Sequence, residues 1–221
     1  MCILVEMYYS QCEEDIFLNT FVFKNKKNGV YIELGALDGV LYSNTKFFED
    51  TLQWTGILIE PHPEKFKKLK TCRSNNFLFN DLVSCHKEPL EFRYFLDYHA
   101  AVSGVESTLS QHHFDTFFNN ESNKTLPQTV KTITPKTLTE IVRSTPLKHI
   151  DFLSLDVEGH EYEVLQSWDF SVPIDVIVVE TLGVQPEKDE LCREILIKND
   201  YTCIVKYKYN EIFARNNSEY V

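Results

Sequence analysis

The stretch DFLSLDVEGHEYEVL, residues 151–165, begins with the pattern of a buried strand and ends with that of a helix. Apolar residues dominate as far as Asp156, and apolar positions then recur at helical spacing toward Leu165. Between the two patterns lie five ionisable side chains: Asp156, Glu158, His160, Glu161 and Glu163. A carboxylate that closes an apolar strand needs a partner, because burying an unpaired charge is costly. Asp156 is therefore expected to act in a functional site.

The same alternation of strand and helix patterns runs along most of the chain. Short apolar runs predict strands at 29–34, 55–60, 76–84, 90–96, 128–134, 150–156, 174–180, 201–207 and 210–216. Helical patterns predict helices at 10–23, 43–52, 62–70, 135–144, 160–168 and 187–199. Strands that alternate with helices are typical of βαβ units on a parallel sheet, and the last two strands have the pattern of an antiparallel pair. The sequence thus predicts an α/β fold in a single domain, residues 1–221.

Charge and composition limit the classes of partner. The chain has 221 residues with 22 basic and 33 acidic side chains, a net charge of −11. Such a charge repels phosphate backbones, so no nucleic-acid partner is expected. No apolar run is long enough for a membrane span, and no basic segment typical of a signal peptide precedes the first apolar run. Six cysteines without a CxxC pair favour reduced thiols, and the predicted location is cytoplasmic.

The carboxyl ends of the first three strands carry residues suited to an adenosine-containing ligand. Gly35 and Gly39 follow the first strand and let the backbone approach a ligand closely, although a tight strand-to-helix connection would also use them. Glu60 ends the second strand, where a carboxylate can accept hydrogen bonds from a ribose diol or merely cap the next helix. The third strand delivers Asn80 and Asp81, where an amide or a carboxylate could meet an adenine amino group. Together these positions favour a nucleoside-binding site.

The predicted strands at 150–156 and 174–180 end in Asp156 and Glu180, which should be near neighbours in a parallel sheet. Two carboxylates there could hold a hard divalent cation or share one proton as an acid/base pair. His160 could serve as a general base, because an unperturbed imidazole titrates near neutral pH. The acidic residues of this turn could instead simply favour the positive end of the following helix. We prefer that interpretation for Glu161 and Glu163.

The periodicity fails between residues 97 and 127, a stretch rich in His, Asn and Ser. So long a segment without regular structure in a compact domain is usually a binding loop or a lid. We therefore predict that residues 97–127 cover or select a substrate.

Four blocks of the sequence together resemble the FkbM family of S-adenosylmethionine-dependent O-methyltransferases. They are GVYIELGALDGVLYSNTKFFE (29–49), GILIEPHPEKFKKL (56–69), IDFLSLDVEGHEYEVLQSWDF (150–170) and IDVIVVE (174–180). The resemblance covers about residues 10–216 and is most specific from Asp151 to Glu180. The first block departs from the family's commoner Asp-x-Gly-Ala-Asn form, since Glu33 replaces the Asp and Leu37 the Asn.

The resemblance implies a Rossmann-like class I methyltransferase fold: a mostly parallel seven-stranded sheet, an antiparallel final strand and helices on both faces. It places the methionine part of the cofactor over the Glu33–Gly35 turn, the ribose at Glu60 and the adenine near Asn80, Asp81 and Leu82. The full set of expected cofactor-binding residues is Glu33, Gly35, Ala36, Asp38, Ser43, Asn44, Glu60, Pro61, Asp81, Leu82 and Asp156. The expected catalytic residues are Asp156, Glu158 and His160, and Mg²⁺ or Mn²⁺ is expected between Asp156 and Glu180.

The activity that the resemblance implies is methyl transfer to a hydroxyl group, and the polar segment 97–127 favours a sugar acceptor on a glycan, glycoconjugate or nucleotide sugar. The aromatic residues of that segment could stack on a sugar ring or form a small core of their own: Tyr98, Phe114, Phe117 and Phe118. Two alternatives stay open, a polyketide or lipid hydroxyl as acceptor and a non-catalytic scaffold module of a glycan-assembly enzyme. A nicotinamide-dependent dehydrogenase is disfavoured because the sequence lacks the G-x-G-x-x-G turn.

Overall fold

The computed structural model describes residues 7–96 and 98–221. The ten strands are β1 (Val30–Leu34), β2 (Thr55–Ile59), β3 (Phe77–Phe79), β4 (Leu90–Phe95), β5 (Gly104–Val105), β6 (Gln128–Ile133), β7 (Ile150–Leu155), β8 (Ile174–Glu180), β9 (Tyr201–Tyr207) and β10 (Asn210–Arg215). The α-helices are α1 (Glu14–Phe17), α2 (Lys46–Leu52), α3 (Pro63–Cys72), α4 (Gln111–His113), α5 (Leu138–Arg143), α6 (Glu161–Gln166) and α7 (Pro186–Lys198).

Seven strands form one sheet in the order β3-β2-β1-β7-β8-β10-β9. The first five of these pair in parallel, whereas β10 is antiparallel to both β8 and β9. This is the mostly parallel sheet with an antiparallel final strand that the sequence predicts, so that prediction is confirmed. Both faces of β1, β7 and β8 are buried, which explains why these strands read as near-continuous apolar runs.

The register of the central strands aligns their carboxyl ends. Leu34 pairs with Ile59 on one side and with Leu155 on the other, and Leu155 pairs with Val179. The residue that follows each of these four positions therefore lies at the same edge of the sheet: Gly35, Glu60, Asp156 and Glu180. Four separate stretches of sequence thus contribute to one place.

Helices cover both faces of the sheet, as predicted. Because side chains alternate along a strand, Ile32 and Leu34 of β1 belong to one core cluster and Tyr31 to the other. The first cluster includes Ile141 of α5 and Leu196 of α7. The second is rich in aromatic rings, among them Phe23, Phe48 and Trp54.

Several element boundaries differ from the sequence predictions. The predicted helix 10–23 is α-helical only over Glu14–Phe17 and continues as a π-helix over Leu18–Phe23. The predicted strand 76–84 is shortened to Phe77–Phe79. Asn80 follows this strand directly, and its side-chain amide donates to the carbonyl oxygen of Glu60 at 2.7 Å. Beyond Phe79, a side chain therefore replaces the backbone N–H as the hydrogen-bond donor to the chain after β2.

A second, three-stranded antiparallel sheet with the order β5-β4-β6 stands apart from the main one. Its strands β4 and β6 flank the segment predicted as a loop at 97–127, and β5 lies within that segment. The first position of the segment, residue 97, lies outside the described residues. The rest of that segment holds a 3₁₀ turn at Tyr98–Val102, the short β5 and α4, and a π-helical turn at Phe114–Phe118. Phe118 stacks on Phe95 with ring centroids 4.8 Å apart, which gives the segment a small core of its own.

In the described part of the chain, no helix has both the length and the apolar character that a membrane crossing requires. The five cysteines that the structure describes are all free thiols.

Candidate active site

A cavity of about 490 Å³ opens at the carboxyl ends of β1, β2, β7 and β8, a volume typical of small-ligand sites. Nine of the residues that the sequence singled out lie on its wall: Gly35, Glu60, Pro61, Asp81, Leu82, Asp156, Glu158, His160 and Glu180. The segment 98–127 closes one side, with Val102 and Phe117 among the residues on the wall. We call this space the first cavity.

The turn after β1 is held tightly against β2 and β7. The backbone N–H groups of Gly35 and Ala36 both donate to the carbonyl oxygen of Ile59, each at 3.2 Å. Gly35 has φ +78°, and a Cβ built there would lie 2.0 Å from the carbonyl oxygen of Asp156. A residue with a side chain therefore cannot occupy position 35 unless the backbone moves.

Five predicted cofactor-binding residues stand behind the wall of the first cavity and do not line it: Glu33, Ala36, Asp38, Ser43 and Asn44. The buried carboxylate of Glu33 accepts hydrogen bonds from the Ser43 hydroxyl at 2.9 Å and the Asn44 backbone N–H at 2.8 Å. One oxygen of Asp38 accepts from two backbone N–H groups of its own turn. These polar groups therefore shape the loop that carries the wall.

Arg73, which the sequence analysis did not single out, holds this loop from below. It is fully buried, and its guanidinium donates to Gly39 O at 2.8 Å, Thr45 Oγ1 at 2.9 Å and Glu49 Oε2 at 2.5 Å. In the sequence it resembles an ordinary cation at a helix end. The one available signal was the buried Glu33, because a buried carboxylate calls for a cation nearby. Nη1 of Arg73 lies 3.8 Å from Oε2 of Glu33.

The carboxylate of Glu60 is fixed at both oxygens. One accepts from Leu37 N and the other from His62 N, each at 2.7 Å. Burial raises the pKa of Glu60 to about 7 in spite of these two bonds. Further along the wall, Asp81 pairs with Lys136 at 2.9 Å, and Leu82 is buried. This side of the cavity thus presents one carboxylate in a fixed orientation beside apolar surface.

Three carboxylates converge at the ends of β7 and β8. Oxygens of Asp156, Glu161 and Glu180 lie within 4.8 Å of one another. Burial raises the pKa of Asp156 to about 6, and burial together with the neighbouring Asp156, Glu158 and Glu161 raises the pKa of Glu180. Such a group can share protons or bind a cation with oxygen ligands.

Glu161 belongs to this cluster, although the sequence favoured a helix-end interpretation for it. Its Oε1 accepts from the backbone N–H groups of Val157 and Gly159, at 3.0 and 3.1 Å, so it does cap the turn before α6. Burial nevertheless raises its pKa to about 7. Glu161 thus holds the turn and adds a carboxylate to the cluster, and the sequence pattern reveals only the first of these.

Glu158 lies on the boundary between the first cavity and a second one, described below. It has a left-handed backbone with φ +57°, a strained conformation that non-glycine residues adopt mainly where the surroundings enforce it. Its Oε2 is 3.5 Å from Nδ1 of His113, whose Nε2–H donates to the Val102 carbonyl at 2.9 Å. Burial and the neighbouring carboxylates Asp156 and Glu161 raise the pKa of Glu158 well above its usual range.

His160, the expected base, is only 2% exposed. Its Nδ1 lies 3.1 Å from the hydroxyl of Thr108, which itself donates to Val105 O at 3.1 Å. Nδ1 therefore carries the ring proton of neutral His160, and Nε2 is buried without a hydrogen-bond partner among the described residues. Burial lowers the pKa of His160 to about 3, so the ring is neutral at physiological pH.

A second cavity of about 360 Å³ shares a wall with the first. The shared residues are Phe117, Glu158, Glu180, Leu182 and Tyr209. The rest of its wall comes from Ser110, His112 and His113, from Gly159 and Glu161, and from the loop before α7 and its first turns, including Gln185, Lys188 and Asp189. The sequence analysis did not predict this space, because it forms where three distant segments meet. Two adjoining cavities that share carboxylates suit a reaction between two bound molecules.

The sequence model of one protein family, the methyltransferase FkbM domain, matches residues 33–203. The matched range includes all of β2, β3, β7 and β8 and parts of β1 and β9. Of the main sheet, β10 lies outside it. No curated protein sequence matches the chain.

Solved structures of methyltransferases resemble the chain at low identity. Fibrillarin of Aeropyrum pernix, in complex with natively bound S-adenosyl-L-methionine, is 11% identical with a TM-score of 0.46 over 93% of this chain and 73% of that one. The precorrin-6y C5,15-methyltransferase of Geobacter metallireducens GS-15 is 12% identical with a TM-score of 0.44 over 97% of this chain and 94% of that one.

Proposed function

Because the chain belongs to the FkbM methyltransferase domain family, we propose that it is an S-adenosylmethionine-dependent O-methyltransferase that modifies a hydroxyl of a sugar. The observation that carries the proposal is the aligned edge of the sheet, where Gly35, Glu60 and Asp156 line one cavity and Glu158 borders a second. One cavity would hold the methyl donor and the other the acceptor.

The first cavity has groups for each part of the donor. The carboxylate of Glu60 is held by two backbone N–H groups and faces the place expected for a ribose diol. Leu82 and Pro61 supply apolar surface for the adenine, and Asp81 supplies an acceptor for its amino group. The bare backbone at Gly35 leaves room for the methionine part.

The reaction asks little of the protein beyond placement. When bound, S-adenosylmethionine supplies an electrophilic methyl group: the acceptor oxygen forms the new O–C bond while the S–C bond breaks and its electron pair stays on sulfur. The protein must hold the hydroxyl in line and accept its proton. Glu158 is the favoured base because it borders both cavities. His160 is second, because its Nε2 is buried, although that atom has no hydrogen-bond partner among the described residues.

A divalent cation would fit the carboxylate cluster. Asp156, Glu161 and Glu180 offer three hard oxygen ligands within 4.8 Å of one another, the donor type that Mg²⁺ and Mn²⁺ prefer. A cation there would lower the pKa of a hydroxyl bound to it. The protein's own contribution is to orient the three carboxylates, Glu161 through its bonds to Val157 N and Gly159 N.

Isothermal titration with S-adenosylhomocysteine tests the donor site. We expect micromolar binding to the wild-type protein and at least tenfold weaker binding to Glu60→Ala. Glu64→Ala is the matched control, because Glu64 lies four positions away on the exposed face of α3, outside both cavities. No binding to the wild-type protein would overturn the enzyme proposal in favour of a non-catalytic scaffold.

A further inference from the structure

Residues 10–14, which lead into α1, run between two strand ends at the first cavity. On one side, Ser10 forms a parallel β-bridge with Tyr42, in the loop after β1. On the other side, the side-chain amide of Asn210, the first residue of β10, donates to Oε1 of the buried Glu14 at 3.2 Å. Asn210 pairs with the last residue of β8, so residues 10–14 reach from the end of β1 to the end of β8. We call them the crossing segment.

The crossing segment lies beside Asp156 and is fixed there. β7, which Asp156 follows directly, runs between β1 and β8 in the sheet. Burial raises the pKa of Asp156, and the nearby carboxylate of Glu14 adds to that effect. One oxygen of the buried Asp15 accepts from the backbone N–H groups of Tyr9 at 2.6 Å and Ser10 at 3.2 Å, which holds the start of the segment.

Gln11, in the crossing segment, lines the first cavity together with Gly35 and Tyr42. Its side chain is exposed and makes no hydrogen bond to any residue that the structure describes. The amide is therefore free to bind a ligand at the end of the cavity where the methionine part of the donor is expected. Gln11 lies outside the range 33–203 that matches the family, so family membership implies nothing about it.

The methionine part of the donor carries an ammonium group and a carboxylate on the same carbon. Asp156 suits the ammonium group, because its pKa of about 6 leaves it ionised at neutral pH. The carboxylate needs hydrogen-bond donors, and the described wall of the first cavity contains no lysine or arginine. Near the ends of β1 and β8, that wall offers the amide of Gln11 and the hydroxyl groups of Tyr42 and Tyr209.

The first three residues of the turn after β1 have no free backbone N–H for this carboxylate. Those of Gly35 and Ala36 donate to Ile59 O, and that of Leu37 donates to the carboxylate of Glu60. Binding of the carboxylate at this end of the cavity therefore falls chiefly to side-chain donors.

We propose that Gln11 binds the carboxylate of the donor's methionine part, so that the crossing segment forms one wall of the donor site. This inference rests on the proposed function and adds a binding residue to it. Of the side-chain donors at this end, Gln11 is the one carried on the segment that passes Asp156. A carboxylate attached to the same carbon as an ammonium group on Asp156 therefore lies beside the Gln11 amide.

Titration calorimetry with three ligands of the full chain tests the proposal. S-adenosylhomocysteine has both charged groups, decarboxylated S-adenosylhomocysteine has the ammonium group alone, and methylthioadenosine has neither. We expect Gln11→Ala to weaken binding of S-adenosylhomocysteine about tenfold and that of the other two less than about twofold. Gln11→Glu should weaken S-adenosylhomocysteine binding further, because it places a like charge beside the carboxylate.

Gln111→Ala is the matched control, because Gln111 is also an exposed glutamine but lies on neither cavity wall, and it should leave binding of all three ligands unchanged. Tyr42→Phe and Tyr209→Phe test the two hydroxyl groups that could take the place of the Gln11 amide.

The outcomes separate this inference from the proposed function. Equal weakening of all three ligands by Gln11→Ala would indicate a structural role alone and would overturn the inference. Unchanged binding of S-adenosylhomocysteine by Gln11→Ala would also overturn it, as would a larger loss confined to that ligand in Tyr42→Phe or Tyr209→Phe. Each of these results leaves the proposed function standing. Failure of the wild-type protein to bind S-adenosylhomocysteine would overturn the proposed function and this inference with it.

Discussion

Gly35 touches the backbone of Asp156 so closely that a Cβ at position 35 would lie 2.0 Å from the Asp156 carbonyl oxygen. The contact joins the turn after β1 to the end of β7, and these two neighbouring segments both line the first cavity. The distance between them is therefore set by backbone packing and not by flexible side chains. A side chain at position 35 must therefore shift one of these two segments relative to the other.

Gly35→Ala tests this contact against conformational strain alone. Gly183→Ala is the matched control, because Gly183 has a similar φ of +72° but no atom within 4 Å of the added Cβ. Both changes incur roughly 1–3 kcal/mol of left-handed strain. We expect Gly35→Ala to lose about 1–3 kcal/mol more, as overpacked sites do. Equal losses in urea unfolding would show that the backbone contact is unimportant.

Arg73→Met should destabilise the protein by about 3–5 kcal/mol, because it leaves the buried Glu33 and the Glu49 carboxylate without their cation. Arg143→Met removes an exposed arginine that pairs with Asp169 and should cost under about 1 kcal/mol. Urea unfolding followed by circular dichroism measures both. A loss at Arg73 no larger than that at Arg143 would contradict the assignment of Arg73 as the support of the first loop.

Stability should depend on pH through the buried carboxyls. Burial raises the folded-state pKa of Glu60 and Glu161 to about 7, above the unfolded value, so each contributes stability that is present at low pH and is lost as pH rises through about 7. The buried rings of His62, His113 and His160 have lowered pKa values and act in the opposite direction, but only below about pH 6.5.

The melting temperature should therefore rise when the pH is lowered from about 8 to about 6.5, the range in which the carboxyls act alone. Differential scanning calorimetry of the ligand-free protein in the presence of a chelator measures this change. A melting temperature that is flat or falls across that range would show that the carboxyls are ionised in the folded protein at neutral pH.

Two clusters in the described part of the chain have the spacing of a metal site, and they lie at opposite ends of the sheet. Mn²⁺ titrated under electron paramagnetic resonance should bind the wild-type protein, and Asp156→Asn should weaken that binding at least tenfold. Asp175→Asn is the control, because Asp175 belongs to the other cluster, with His149 and Asp151, where Arg215 and Lys26 already supply cations. Loss of binding in the control alone would place the ion at the wrong end of the molecule.

Glu158→Gln should lower kcat by about 10²–10⁴-fold and change KM for S-adenosylmethionine little, because it removes the favoured base without touching the expected donor contacts. Thr108→Val removes the hydroxyl beside His160 Nδ1 and tests the second candidate. A large fall in kcat for Thr108→Val, with Glu158→Gln nearly fully active, would move the base to His160.

The sequence alone was sufficient to predict which residues meet at the strand ends, because that depends only on strand order and direction. A polar residue at the end of each apolar run could be placed at one edge because parallel strands share a direction, and the aligned register of Leu34, Ile59 and Leu155 confirms the underlying fold. Family membership also followed from contiguous motifs. Local patterns carry this kind of information because the strand period and the glycine turn are both short-range features.

Long-range contacts could not be predicted in the same way. Arg73 is 40 positions from Glu33, and its burial depends on how α3 packs under the first loop. The second sheet separates from the first because β4 pairs with β6 across a long insertion. Glu161 joins the carboxylate cluster only through the turn that positions it. Each of these contacts depends on tertiary packing, which the local hydrophobic periodicity of a sequence does not predict.

The charge of the carboxylate cluster bears on turnover as well as on binding. Under the proposed function, Asp156 would attract the donor more strongly than the product, because the sulfonium of S-adenosylmethionine is a cation whereas the sulfur of S-adenosylhomocysteine is neutral. Methyl transfer removes the positive charge on sulfur and, with it, part of the attraction that holds the molecule. If the donor binds at these strand ends as proposed, methyl transfer would itself weaken the binding of the product and so favour its release.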